Sequence, residues 1–259
     1  MDAEMIDTKK VRKKGQMALW IILAIAFVVL VFLIFAMLKK PDLQATETEN
    51  PNIIIDKCVK DAVNEAVDIM LPQGGFIEPK NFKVFDRKNI SYICQSEWNF
   101  KSCTMQHPAL LKEMTEEIHN YINQKIENCF QSIKEEFEKK NMHVELGQQE
   151  INISLSRGKV YAVIIREVLV TKDEEIKKFE KFNSEINSLI YDLGRVAIEI
   201  ANQEAQYCNF EYLGYMMMYP EFRITKELAG DSTKIYSIKD IKSEKEMNIA
   251  IRGCVTLIL

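Results

Sequence analysis

Apolar and polar residues along this chain follow three rhythms in turn, and the first is an unbroken run. Residues 17–38 are 22 consecutive positions without a charge. At about 1.5 Å per residue a helix of that length crosses the ~30 Å hydrocarbon layer of a bilayer. No polar stripe interrupts it, so a soluble core helix is excluded. It also outruns the roughly 7–15 apolar residues of a cleaved secretory signal. Residues 1–16 thus read as a basic cytoplasmic leader and 17–38 as a transmembrane helix. Lys9, Lys10, Arg12, Lys13 and Lys14 precede the run while only Lys39 and Lys40 follow closely. That excess keeps the N-terminus inside, with Trp20 near the inner headgroup boundary and Lys39 and Lys40 at the outer one. The expected location is the cell membrane, with the bulk of the chain extracellular.

The second rhythm is helical. After a polar linker over residues 39–51 containing "PDLQATETENP", the positions Ile55, Cys58, Val59, Ala62, Val63, Ala66, Val67 and Met70 recur at three-and-four spacing. Pro72 stops that helix, and Gly74-Gly75 turns the chain into segment 76–85. Residues 89–107 alternate and then turn polar, which fits a loop or hairpin cross-linked by Cys94 and Cys103. Pro108 is placed to open a long helix with Leu111, Met114, Ile118, Tyr121, Ile122, Ile126, Cys129, Phe130, Ile133 and Phe137 on one face.

The third rhythm has period two. "HVEL", "QEINISLS" and "VYAVIIREVLV" are β-branched and alternating, and Ser156-Arg157-Gly158-Lys159 between the last two marks a hairpin. Thr171-Lys-Asp-Glu174 then has the form of a capping box. It predicts a helix carrying Ile176, Phe179, Phe182, Ile186, Ile190, Leu193, Val196, Ala197 and Ile200 and reaching Gln206. In that helix Asp173, Glu174 and Glu175 occupy the first turn, where the macrodipole favours acids. Strands return near residues 222–226, 234–238 and 247–259. Residues 52–259 therefore read as one extracellular α+β domain, long amphipathic helices packed on an antiparallel sheet.

Charge narrows the partners. The chain's net charge is −4; the leader contributes +2 and Lys39 with Lys40 another +2, leaving −8 for residues 41–259. Nucleic acid and anionic lipid are poor partners for such a surface. All six cysteines lie beyond the apolar run, an even number on the side expected to be oxidising. Cys58 and Cys129 sit on the apolar stripes of two helices that bury those stripes against each other, so they pair. Proximity and elimination then join Cys94 to Cys103 and Cys208 to Cys254. A metal reading of Cys94, Cys103 and His107 lacks a fourth ligand and any CxxC, so no metal or cofactor is expected. Asn89-Ile90-Ser91 and Asn152-Ile153-Ser154 are glycosylation sequons.

No catalytic signature stands out: GxSxG, P-loop, GxGxxG and HExxH are all missing from the sequence. His107, His119 and His143 are the three histidines, and a hydrolase reading requires a deep pocket joining one of them to acids. The stretch containing Tyr215, Met216, Met217, Met218 and Tyr219 is an adaptable apolar surface. Exposed, it makes a contact patch for a partner or peptide; buried, it packs a helix on the sheet.

The entry Lys13-Lys14-Gly15-Gln16-Met17 into the apolar run resembles the class III signal peptides of archaeal type IV pilins. That resemblance covers the first 40 residues or so and implies cleavage between Gly15 and Gln16, with the helix retained for pilin-like packing. It departs from the bacterial pilin pattern, since Trp20 stands where those pilins carry a glutamate. The chain is also similar to uncharacterised single-span exported proteins of small-genome archaea in its "KKGQ" entry, its Cys58-bearing first outer helix and its Gln73-Gly74-Gly75 turn. The expected role is non-enzymatic: a disulfide-stabilised cell-surface protein in structure, adhesion or pilin-like assembly, through self-assembly or another surface protein. The alternative is an extracellular ligand- or peptide-binding module on a single-span anchor.

Overall fold

The computed structural model describes residues 25, 27–31, 50–98 and 100–254, in two units that divide between Glu49 and Asn50. In the first unit Ile25 and residues 27–31 are helical with exposed side chains. The leader, the Gly15 and Gln16 pair and most of the apolar run and linker lie outside the described residues. Among the described residues no helix is long and apolar enough to cross a membrane.

The second unit opens with α1, Pro51–Met70. Asn50 caps it by accepting the Asn52 N–H at 3.0 Å, and Pro51 fits the first turn because its missing N–H has no helical partner there. Its stripe from Ile55 to Met70 is buried. A 3-10 turn, Leu71–Gln73, ends at Gly74 and Gly75 with φ of 80° and 96°. Glycine is required here because of that backbone, and a Cβ on Gly75 would come within 2.9 Å of Met114. Next come β1 (Phe82–Phe85), β2 (Lys88–Gln95), β3 (Thr104–Met105) and α2 (Leu110–Lys139). Helix α2 starts two residues after Pro108, with the Leu110 N–H donating to the His107 carbonyl.

The strands β4 (His143–Leu146), β5 (Glu150–Ser156), β6 (Lys159–Lys172) and β7 (Glu175–Asn187) follow. Last are α3 (Ile190–Tyr207), α4 (Tyr212–Met218), β8 (Phe222–Leu228), β9 (Lys234–Asp240) and β10 (Glu246–Arg252). The fold is α+β, with antiparallel pairing dominant. The one antiparallel sheet expected is in fact two. The first has the order β1-β2-β10-β9-β8 with β3 beside β2, and β10 runs parallel to β2. In the second, β6 is central, β7 lies along one side and β4 and β5 lie in succession along the other.

The largest departure from the sequence pattern concerns residues 175–187, expected as helix and found as β7. The Thr171–Glu174 motif is not a capping box. Asp173 and Glu174, both at positive φ (47° and 72°), form a two-residue hairpin turn in which Thr171 and Lys172 pair with Ile176 and Glu175. Asp173, Glu174 and Glu175 thus cluster at a strand turn and not in a helix's first turn. The spacing misleads because Phe182, Ile186 and Ile190 suit helical period, while Phe182, Ser184 and Ile186 equally suit a strand, and these three are the buried ones. Residues 175–178 are exposed on both faces, so no alternation marks them.

The six cysteines form the three expected pairs. Cys58 joins Cys129 across α1 and α2 (Cα–Cα 6.6 Å), Cys94 joins Cys103 (5.4 Å), and Cys208 joins Cys254 (5.6 Å). Helices α1 and α2 are antiparallel, since Cys58 meets Cys129 while Glu65 accepts bonds from Tyr121 and Lys125. They cover the second sheet; α3 covers β2, β9 and β10 of the first and crosses α2. At that crossing a Cβ on Gly194 would lie 2.8 Å from Leu111 Cδ2, so a larger residue there would displace the Leu111 side chain. One continuous apolar core links both sheets and the three long helices. Within the inward row of β6 one charge stands among aliphatics: Arg166 is buried, pairs with Glu127 at 2.6 Å and lies 4.7 Å from the Phe130 ring centroid.

Helix α2 and strand β6 set the long axis. At about 1.5 Å and 3.3 Å per residue each is roughly 45 Å long. Leu111 lies beside Leu155 and Tyr191, Glu127 beside Arg166, and the chain after Lys139 returns as His143 opposite Thr171. The end of the domain holding Asn50 is therefore the end holding the β6–β7 turn. The β5–β6 turn and the start of α3 lie at the other end.

Candidate functional site

At that far end an elongated cleft of about 910 Å³ runs along α3. Its floor is the outward stripe Asp192, Arg195, Glu199 and Gln203, spaced three and four apart as one helix face requires. One wall is the β5–β6 turn at Arg157 and Gly158. Gly158 has φ 69°, which suits glycine in so tight a connection, and its N–H donates to Asp192 at 2.8 Å, tying the turn to the helix. The other wall is α4 and the start of β8, through Tyr215, Met218, Tyr219, Glu221 and Phe222.

Helix α4 has no buried residue. Met217 is 86% exposed and Met218 74%. The methionine stretch is thus exposed at Met217 and Met218 and not buried in the core, although Tyr215 and Met216 rest partly on it. Met216 Sδ accepts the Ile224 N–H at 3.1 Å, pinning α4 to β8. Tyr215 and Tyr219 have ring centroids 4.6 Å apart, and Phe210 supports Tyr215 from behind at 5.4 Å. Burial pushes the Tyr215 hydroxyl above its usual range, helped by Tyr219, Glu199 and Glu221 and opposed by Arg195.

The cleft carries four carboxylates and two guanidiniums. Two of the acids already serve the fold: Asp192 holds the Gly158 turn, and buried Asp240 accepts the Ser243 N–H at 2.7 Å and the Lys242 N–H at 3.1 Å. Glu199 accepts from Gln203 at 2.7 Å. Among the described residues the Arg195 and Glu221 side chains make no ion pair. The cleft presents adjoining aromatic rings, thioether surface and separated charges of both signs.

Behind the floor, on the inner face of α3, Glu204 is fully buried. It accepts from Lys234 Nζ at 2.5 Å and from the Tyr236 hydroxyl, and Lys234 also donates to the Cys208 carbonyl at 2.7 Å. Burial and the bond to Glu204 hold the Tyr236 proton far above the tyrosine range. Together with the Cys208–Cys254 bond, this cluster fixes the end of α3 to the first sheet.

A second polar array lies elsewhere. His107 Nδ1 is 2.6 Å from Glu113 Oε2, its Nε2 is 3.5 Å from Ser91 Oγ, and Phe76 packs on the ring at 4.5 Å. The order serine, histidine, carboxylate is that of a nucleophilic relay. Ser91, however, is 1% exposed, and the described cavities leave it out. His119 bonds only to neighbouring Asn120, and His143 lies 3.3 Å from Glu145 on the surface. Among the described residues no three metal-ligating side chains converge. Cys94 and Cys103, the thin metal candidates, bond to each other. The sequon residues Asn89 on β2 and Asn152 on β5 are exposed.

Sequence reasoning singles out the methionines but misses Arg195, Glu199 and Glu221. Their signal, a polar stripe on an amphipathic helix, is identical to that of any solvated face, and only the opposing α4 wall turns it into a cleft. No family model, no curated protein and no solved structure matches the chain.

Proposed function

We propose that the chain is a single-span, disulfide-stapled cell-surface protein whose outer domain binds an extended peptide segment of a partner in the cleft along α3. The observation that carries this reading is exposed Met218, which lines a 910 Å³ cleft at the end of the domain opposite Asn50, with exposed Met217 next to it in α4. Apolar side chains of that size at such exposure, beside a concave surface, are characteristic of binding sites. From Tyr191 to Gln203 the floor spans about 18 Å of helix, room for about five extended residues. The three disulfides support an oxidising location, and the uncharged run of residues 17–38 supports anchorage with a cytoplasmic N-terminus.

The test uses full-length protein in detergent against an array of six-residue peptides. The double substitution Met217→Ser/Met218→Ser is expected to weaken the best binders about tenfold or more, a loss of about 1.4 kcal/mol. Its denaturation midpoint should match the parent's, because neither side chain is buried. Unfolding by this pair, or unchanged binding, removes the support for the cleft reading.

A second reading, pilin-like self-assembly through the N-terminal helix, is favoured by one observation: Ile25 and residues 27–31 present exposed aliphatic and aromatic side chains on a helix. A native mature N-terminus at Gln16 by mass spectrometry, with filaments in micrographs, supports it; an intact Met1 removes it.

A further inference from the structure

We infer that the cleft recognises a basic side chain, arginine or lysine, of the bound peptide, held over the Tyr215–Tyr219 pair and facing Glu221. This rests on the peptide-binding reading and supplies its chemistry. Tyr215 and Tyr219 lie 4.6 Å apart with their planes tilted by 35°, so their faces form a shallow aromatic corner and not a closed stack. Electron-rich ring faces attract a cation, more strongly where solvent is partly excluded. Two carboxylates, Glu199 and Glu221, line the same cleft and act on Tyr215 as negative neighbours.

Charge accounting favours a cation over an anion. With Asp192 and Asp240 already engaged by the fold, Glu199 and Glu221 remain against Arg195. Arg157 is 92% exposed and lies 3.7 Å from Asp192, so it contributes little positive field inside. Arg195 is the remaining positive group, a donor with no acceptor capacity. On the helix floor it is suited to carbonyl oxygens of an extended peptide backbone, while the basic side chain takes the aromatic corner. Met218 on the rim covers the aliphatic stem of that side chain.

The experiment titrates full-length protein in detergent with fluorescein-labelled six-residue alanine peptides bearing a central arginine, glutamine or glutamate. The arginine peptide is expected to bind at least tenfold tighter than the glutamine peptide, with the glutamate peptide weakest. Tyr219→Ala and Glu221→Gln should each remove most of that preference, whereas Tyr219→Phe, which keeps the ring, should retain it. Arginine amide should compete at least tenfold more weakly than the peptide, because it leaves the length of the cleft empty. Glutamine and arginine peptides binding equally well overturn this inference and leave the peptide-binding reading standing. Arginine amide competing as well as the peptide assigns the site to a small cation and overturns it also. Binding by none of the peptides removes both.

Discussion

Two polar regions of this molecule invert one another. Ser91, His107 and Glu113 are aligned as a nucleophilic relay, yet the serine is sealed by the Gly74 turn, with the Ser91 Cβ only 3.1 Å from where a Cβ on Gly74 would stand. The cleft along α3 is open and large, yet no histidine lines it. Alignment without access holds a fold together: His107 ties the β2 strand to the first turn of α2 through Ser91 and Glu113. Access without alignment is what the proposed binding reading uses. Catalysis needs a place where a reacting atom can sit, which the buried Ser91 lacks.

The largest effect is expected where the cleft is anchored from behind. Glu204→Leu leaves Lys234 and the Tyr236 hydroxyl without their buried partner, and removing one member of such a cluster costs about 3–5 kcal/mol. Denaturant unfolding with the disulfides intact measures it. A variant as stable as the parent would mean that α3 is not held rigidly from its inner face, and the cleft floor would lose its claim to preorganisation.

Next in size is His107→Ala. It removes a charge-assisted hydrogen bond and leaves the Ser91 hydroxyl buried without a partner, for a loss of about 2 kcal/mol. Adding Ser91→Ala should recover part of that loss, since the unsatisfied group is then gone. Peptide affinity should stay at the parental value in both. An ester-hydrolysing activity of the parent that vanishes in His107→Ala would break the comparison by making the relay catalytic.

Much of this organisation was legible in the pattern of residues. The apolar stripes of α1 and α2 are continuous, so both helices and the Cys58–Cys129 bond between them follow from burying two stripes together. The β5–β6 hairpin is equally plain, because β6 alternates from Val160 to Val170 with a glycine at its turn. Strand β7 was not legible. Its first half is exposed on both faces, leaving the helical spacing of Ile176, Phe179 and Phe182 as the only periodicity to read. Nor does local pattern specify the parallel pairing of β10 with β2, whose partners are more than a hundred residues apart in the chain. The cleft is hidden for the same reason: Glu199 is on α3 and Glu221 in the turn before β8, and tertiary packing alone brings both to one cleft.

The smallest effect separates the open region from the buried one by proton affinity alone. Among the described residues three tyrosines hold their protons above the usual value of 10.0: Tyr121, through its bond to Glu65, Tyr215 in the cleft and Tyr236 behind it. For Tyr215 the leading cause is burial, followed by the negative neighbours Tyr219, Glu199 and Glu221. For Tyr236 it is burial followed by the bond to Glu204. In both, a pKa raised in the folded state contributes stability that is fully present below the unfolded value and is lost as pH rises through the folded one. Near-ultraviolet absorbance during alkaline titration, taken as the difference between the parent and Tyr215→Phe, isolates the Tyr215 step, while Tyr236 keeps its proton throughout. Glu221→Gln should bring the Tyr215 step to lower pH, and a saturating arginine peptide should do the same by adding positive charge over the ring. A Tyr215 step that ignores both treatments would place Glu221 and the bound cation too far from the aromatic corner to act on it.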